Sequence, residues 1–342
     1  MTESPGHGFP EPEWGSATGD PRSSRGPDRS AVPPPWPPPV PAHKPGVIPL
    51  RPLGPGDIVG ATFAAVFGNP RVYFGMSAVV TVATVIVALV IDLVIGVAVG
   101  VIGGDGLPNP RAALTSASGV ATDAGSVAGW LLAGVVAYPV ARDVIGVRAG
   151  LRESWRFGRP FVGRLIGTVL LLAVGLVLVA APAIALLLVG IGSPDLDVLL
   201  AVAVASVLLI IPVVWLAVRL SVAMPAVTID NLSPPAAIAR SFALTRGLFA
   251  RYFTVFVILG IVATVVDTVF SGLVGLITDV VGSTAGDVVG IVTAVLVTVI
   301  LAPMFAVASS VVHTDSRIRK EGLDIALTQL VADRDGPPWA SR

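Results

Sequence analysis

Long uncharged segments alternate along this chain with short connections, and the connections themselves alternate in charge. Apolar stretches run over about 72–101, 124–140, 161–191, 196–218, 252–277 and 288–312. About 20 apolar residues suffice to cross the hydrocarbon core of a bilayer, so each stretch is read as a span. The second is the shortest, and Pro139 is expected to kink or end it. A residue such as Arg156 cannot rest in lipid tails, whereas the connections can hold it. Basic residues mark the cytoplasmic loops of membrane proteins. Arg51 and Arg71 precede the first span. Arg142, Arg148, Arg152, Arg156, Arg159 and Arg164 lie between the second and third. Arg219, Arg240, Arg246 and Arg251 lie between the fourth and fifth, and Arg317, Arg319 and Lys320 follow the sixth. The other three connections hold Arg111 beside Asp105, Asp123, Asp195, Asp197, Asp279 and Asp287. The expected arrangement is a multi-pass protein of the cell (inner) membrane with both termini cytoplasmic. Its first span acts as an uncleaved anchor, because the preceding residues lack the apolar core of a signal peptide.

Composition agrees with that reading. Hydrophobic residues make up 54% of the 342, charged residues 13%, and mean hydropathy is +0.85. A soluble domain carries about 25% charged residues. With no cysteine in the chain, disulfides, thiolate metal sites and cysteine nucleophiles are excluded. Residues 1–46 are rich in Pro, Gly and Ser and are expected to be a disordered cytoplasmic tail. Within it, the prolines around Trp36 favour polyproline II, either as a stiff spacer or as a segment that a proline-reading protein partner docks on. Residues 47–333 form the membrane domain, and 334–342 a C-terminal tail.

Three short amphipathic segments precede the hairpins. In the first, Val59, Phe63 and Phe67 recur every fourth residue. The second, 145–157, sets Arg148, Arg152 and Arg156 on consecutive turns of one face. The third begins at Ser233-Pro234-Pro235, a helix-start signal, and has Ile238, Phe242 and Phe249 on an apolar stripe with Arg240, Arg246 and Arg251 mostly off it. Such a helix either lies in the headgroup plane or packs as a loop helix on its own bundle. Gly68, Gly158 and Gly247 stand 90 and then 89 residues apart, each flanked by aromatics. That spacing predicts three copies of one unit. The expected fold is an all-α polytopic membrane protein: six transmembrane helices as three hairpins, each preceded by a cytoplasmic-side amphipathic helix.

Few residues suggest chemistry. Asp92 and Asp267 are the acids deep inside spans, and a carboxylate at mid-bilayer costs at least about 2.5 kcal/mol on insertion scales. They form either an intramembrane proton or ion site or a pair of neutral acids hydrogen-bonded to neighbours such as Thr264 or Thr268. The arginines at 148, 152, 156, 240, 246 and 251 either hold anionic lipid headgroups or merely set topology. Small-residue series such as Gly96/Gly100/Gly104, Gly125/Gly129 and Gly282/Gly286/Gly290 fit close helix packing. Only three histidines occur, and no HExxH, GxSxG, Walker A or dinucleotide fingerprint. His313 is expected to pair with Asp315 at the interface. No catalytic, cofactor-binding or metal-binding residue is expected, nor nucleic-acid binding, since strong basicity is confined to the juxtamembrane rows.

The stretch PGVIPLRPLGPGDIVGATFAAVFGNPRVYFG, the helix RSFALTRG (Arg240 to Gly247) and the closing RIRKEGLD (Arg317 to Asp324) resemble a group of actinobacterial proteins. These are stand-alone relatives of the membrane domain of glycerophosphoryl diester phosphodiesterase, and the resemblance runs from Pro45 to Leu330. It implies membrane residence and a link to glycerophospholipids. It carries no hydrolase activity, because the histidines and acidic metal ligands of the soluble catalytic barrel have no counterpart here. The expected function is therefore that of a non-enzymatic membrane scaffold or accessory protein in lipid or envelope processes. The alternative is a small transporter or lipid-handling permease using Asp92 and Asp267, or an enzyme completed by a soluble phosphodiesterase partner. Oligomeric state and ligand are not readable from the residues.

Overall fold

A computed structural model of the chain describes residues 46–49, 51–103, 110–190 and 195–335. All of the expected disordered tail (1–46) except Gly46, together with residues 50, 104–109, 191–194 and 336–342, lies outside the described residues. The elements are helical throughout: α1 (Pro55–Gly68), α2 (Pro70–Gly103), α3 (Pro110–Val135), α4 (Ala137–Val144), α5 (Leu151–Gly158), a 3-10 turn (Arg159–Phe161), α6 (Val162–Gly190), α7 (Leu196–Leu220), α8 (Ala223–Ile229), α9 (Pro234–Thr245), α10 (Phe249–Val281), α11 (Ser283–Glu321) and α12 (Leu323–Asp335). Five helices are long and apolar enough to cross a membrane, and α3 with α4 makes a sixth span if the bent pair is taken together. The chain is thus an all-α multi-pass membrane protein.

The order short helix, long helix, long helix occurs three times: α1–α2–α3, α5–α6–α7 and α9–α10–α11. The repeating glycines mark the joints. Gly68 is the last residue of α1 and Gly158 the last of α5, and Gly247 sits between α9 and α10 with φ +77°. Of these three glycines, Gly247 is the one at which the backbone needs left-handed freedom, which a side chain would oppose. Each long pair packs together, and α11 is the central post, touching α1, α2, α3, α9 and α10.

Small residues set the closest seams. Gly125 and Gly129 on α3 face Thr298 and Ala302 on α11, both pairs one turn apart. Gly286 and Gly290 face Thr278 and Val274 across the α10–α11 hairpin. A glycine row lets two backbones approach until van der Waals contact is continuous, which is what drives association where lipid removes the hydrophobic effect. Gly163 has open space beside it and takes no part. By contrast α6 and α7 expose leucine, isoleucine and valine on most sides, Leu178 and Ile211 among them. Lipid tails solvate such surface as well as protein does.

The helix boundaries differ from expectation in three places. The polar connection expected over 103–122 is helical from Pro110, because α3 begins well before its apolar part and lies along α2. Proline at the first helical position is well placed there, having no N–H to leave unpaired. The bend between α3 and α4 is 45° and falls at Val136, one turn before Pro139. Proline offers no N–H to the carbonyl four residues earlier, Val135, so the kink appears there. The third amphipathic segment ends at Thr245, which moves Phe249 onto α10 and off the predicted stripe. Its buried face is Ala237, Ser241, Leu244 and Thr245. The protein rather than lipid selects that face: α9 packs on α6, α7 and α8. Likewise α1 buries Ile58, Ala61, Thr62, Ala65 and Val66, leaving Phe67 exposed and stacked beside Phe63.

Candidate functional site

The three family-like motifs converge at one place, the end of the bundle where α11 runs past its apolar part. Asp315, fully buried, is the hub. Its carboxylate accepts the Leu53 backbone N–H at 2.7 Å, the Tyr252 hydroxyl at 3.1 Å, and the Arg319 guanidinium at 2.9 and 3.1 Å. The Leu53 carbonyl in turn accepts Arg251 and Arg319, each at 2.6 Å. Arg319 follows Asp315 by one helical turn, so the two side chains meet on one face of α11. A buried carboxylate is tolerated because both of its oxygens are hydrogen-bonded and one partner is cationic.

Leu53 ends a short non-helical strap, IPLRPL, whose other end is held just as firmly. Val47 donates to the Asp143 carbonyl at 3.0 Å, and Ile48 and Leu53 are fully buried in the main core. Prolines at 49 and 52 have no N–H to satisfy, which suits a segment crossing other elements without a ladder partner. Asp143 repeats the hub's chemistry: its carboxylate accepts the Tyr73 hydroxyl at 2.5 Å.

Beside the hub is a second cluster. Asp230, just beyond α8, receives His313 at 3.2 Å, Arg240 at 3.3 Å and Arg317 at 3.3 Å. Glu321 pairs with the same two arginines, Arg240 at 2.5 Å and Arg317 at 3.0 Å. Burial pushes the Asp230 carboxyl upward, but the His313 hydrogen bond and the charges of His313 and Arg317 outweigh it, so Asp230 sits below the usual carboxylate range. Burial works against the Arg240 guanidinium, yet Asp230 and Glu321 hold it above its ordinary value. His313 therefore joins Asp230 from another element, not Asp315 two residues away. On a helix, residues two apart point to different sides. A cavity of about 120 Å³ adjoins the cluster, lined by His313, Thr314 and Arg317 together with Ala141, Val144 and Leu327.

The arginines expected to meet lipid divide into two groups. Arg240 and Arg251 are engaged inside the protein as described. The second row is not, nor is it one helical face as expected. Arg152 and Arg156 lie on α5, but Arg148 falls in the non-helical stretch before it. All three are exposed, next to exposed Leu151, Trp155 and Phe157. Arg246 is exposed too, its carbonyl accepting Lys320 at 3.0 Å. The two intramembrane acids are not brought together. Asp92 is half-buried on α2 and accepts the Ser116 hydroxyl of α3 at 3.1 Å. Asp267 is exposed on α10, its backbone carbonyl accepting Ser271. Helices α2 and α10 each pack on α11 rather than extensively on one another. Among the described residues, no group of three His, Asp or Glu could hold a metal ion.

Sequence reading passed over Asp143, Asp230 and Asp315 as site residues. One signal was present: tyrosine stands five residues after Gly68 and after Gly247. What those tyrosines reach lies 70 and 63 residues further along, which no local pattern reveals.

These features define a multi-pass helical membrane protein whose repeats are tied together at one end by buried carboxylates. Residues 196–316 match the family model described as the membrane domain of glycerophosphoryl diester phosphodiesterase. The matched stretch runs from the start of α7 to the residue after Asp315 and contains Asp230, Arg240, Arg251, Tyr252 and His313. No curated protein and no solved structure matches the chain.

Proposed function

We propose that this protein is a non-enzymatic scaffold or accessory protein of the inner membrane, serving lipid or envelope processes, with both termini cytoplasmic. One observation carries the reading. Of two arginine rows that look alike in sequence, Arg240 and Arg251 of one tie the repeats together, while Arg148, Arg152 and Arg156 of the other are left outward among exposed apolar side chains. Basic and aromatic residues so placed suit the headgroup layer of an anionic leaflet. The charges of the Asp230 and Asp315 clusters are engaged with one another, which supports a holding role for them rather than a catalytic one. The proline-rich tail would supply a protein contact.

The test is retention of anionic phospholipid by the purified full-length protein, read by native mass spectrometry. Each juxtamembrane cation contributes about 1 kcal/mol near an anionic leaflet, so Arg148→Gln, Arg152→Gln and Arg156→Gln together are expected to weaken retention roughly 100-fold. Unchanged retention would remove the lipid role.

A further inference from the structure

Tyr73, Ser77, Thr81 and Val85 follow one another at four-residue steps on α2, and Asp92 stands two turns beyond Val85. At 3.6 residues per turn these positions wind slowly along one face, and Tyr73 to Asp92 spans about 28 Å, close to a bilayer's hydrocarbon thickness. A carboxylate closes each end of the row. Asp143 accepts the Tyr73 hydroxyl, and Asp92 accepts Ser116. Between them Ser77 and Thr81 are fully buried, and both hydroxyls are without a hydrogen-bond partner in the protein. This is not how hydroxyls on these helices usually behave. Thr84 bonds the Val80 carbonyl one turn back, and Thr62, Thr168 and Thr278 do the same on their own helices. Two buried orphan hydroxyls one turn apart are a site for water, which supplies the missing partners.

Past Thr81 the row turns apolar. Val85 packs with Ala121 and Ala124 in a small apolar knot separate from the main core, ringed by Ala88, Leu89, Ile291 and Val295. A constriction of this kind stops conduction by excluding water rather than by blocking it with a side chain.

We propose that this face of α2 is a proton path between Asp92 and Asp143, hydrated at Ser77 and Thr81 and held shut at Val85. A proton leaving the Asp92 carboxyl passes along water, then the Thr81 and Ser77 hydroxyls, and through the Tyr73 hydroxyl to the Asp143 carboxylate it is bonded to. At each hop one O–H bond breaks as another forms, so only the proton is transferred. Among the described residues the ionisable groups hydrogen-bonded into the row are Asp92, Tyr73 and Asp143, with Arg148 close enough to act on Asp143. The path goes beyond the scaffold reading and does not rest on it.

The full-length protein is reconstituted in phosphatidylcholine–phosphatidylglycerol liposomes containing a pH dye, and a potassium diffusion potential drives protons. Val85→Ser is expected to raise flux about tenfold over wild type by wetting the knot, and Val85→Ser/Asp92→Asn to bring it back. Val87→Ser, on the exposed side of the same helix, leaves flux unchanged. Flux unaltered by Val85→Ser, or a leak that survives Asp92→Asn, overturns the proposal. The cysteine-free chain gives a second readout that needs no opened knot. Ser77→Cys and Thr81→Cys are expected to react with a small charged thiol reagent about tenfold faster than core Met76→Cys, because only a hydrated thiol ionises readily. Equal, slow labelling at all three positions also overturns it.

Discussion

Tyr252 donates its hydroxyl to the buried Asp315 carboxylate at 3.1 Å, and Tyr73 stands in the same relation to Asp143 at 2.5 Å. Each tyrosine opens the first long helix of its repeat, and each aspartate lies where the second long helix ends or its extension does. The middle repeat keeps the acid, Asp230, but has Gly163 where the tyrosine would be. Asp230 is held instead by His313, Arg240 and Arg317, all contributed by the third repeat. The departure from the repeat is thus what cross-links the second and third copies.

Removing Asp315 should cost far more than removing its tyrosine partner. Tyr252→Phe deletes one hydrogen bond to a charged group, about 1.5–3 kcal/mol. Asp315→Ala leaves Arg319 and the Leu53 N–H without their acceptor, and about 3–5 kcal/mol is expected. Reversible unfolding in mixed micelles distinguishes the two. Equal losses would contradict the hub assignment.

Gly46→Ala should loosen the strap. A Cβ at that position would fall 2.0 Å from the Asp143 carbonyl oxygen, which is backbone and cannot swing aside. Overpacking of this kind costs about 1–3 kcal/mol. Gly56→Ala, with nothing within 4 Å of the new Cβ, is the matched control and should not destabilise. Protease resistance of the 46–54 segment reports the difference directly.

Acid should release the Asp230 cluster. Because the folded carboxyl sits below its unfolded value, its contribution to stability is complete above about pH 4 and is lost as pH falls through the lowered folded value. The melting temperature should therefore show no Asp230-dependent change between pH 5 and 7, to the extent of about 1 °C. Asp230→Asn should remove the acid-induced decline that wild type shows at lower pH. Curves for the two proteins that stay parallel down to acid would contradict this.

Arg240→Gln and Arg152→Gln should behave differently although the two arginines look alike in sequence. Arg240 bridges Asp230 and Glu321, so its loss should cost about 1–3 kcal/mol. Arg152 is exposed on α5, and its replacement should stay within about 0.5 kcal/mol. Thermal unfolding of each variant in detergent checks both.

Sidedness has its own test. Reporters placed after Asp195 and after Asp230 should read opposite sides of the membrane, the first outside and the second in the cytoplasm. The same signal from both would refute the six-span arrangement.

Much of the fold was legible because lipid enforces it locally. A segment such as 252–277 must be helical, since nothing but its own turns can satisfy its backbone in hydrocarbon. The glycine spacing likewise foretold the threefold order of short and long helices. The buried face of α9 was not legible. Its apolar stripe suggested Ile238 and Phe242, whereas packing on α6, α7 and α8 buries Ala237, Ser241 and Leu244, the small Ala237 and Ser241 permitting close approach. Nor was the site, whose members are as far apart in sequence as Leu53 and Asp315.

By itself, then, the sequence determined a helical membrane chain built three times over, through apolar length, charge alternation and the periodic glycines. These are local properties, each decided by the solvent a segment can tolerate. Tertiary structure alone decided which charges face inward. Whether an arginine is left exposed like Arg152 or becomes an internal tie like Arg240 depends on whether packing brings a carboxylate within hydrogen-bonding reach, and that reach is set by helices far apart in the chain.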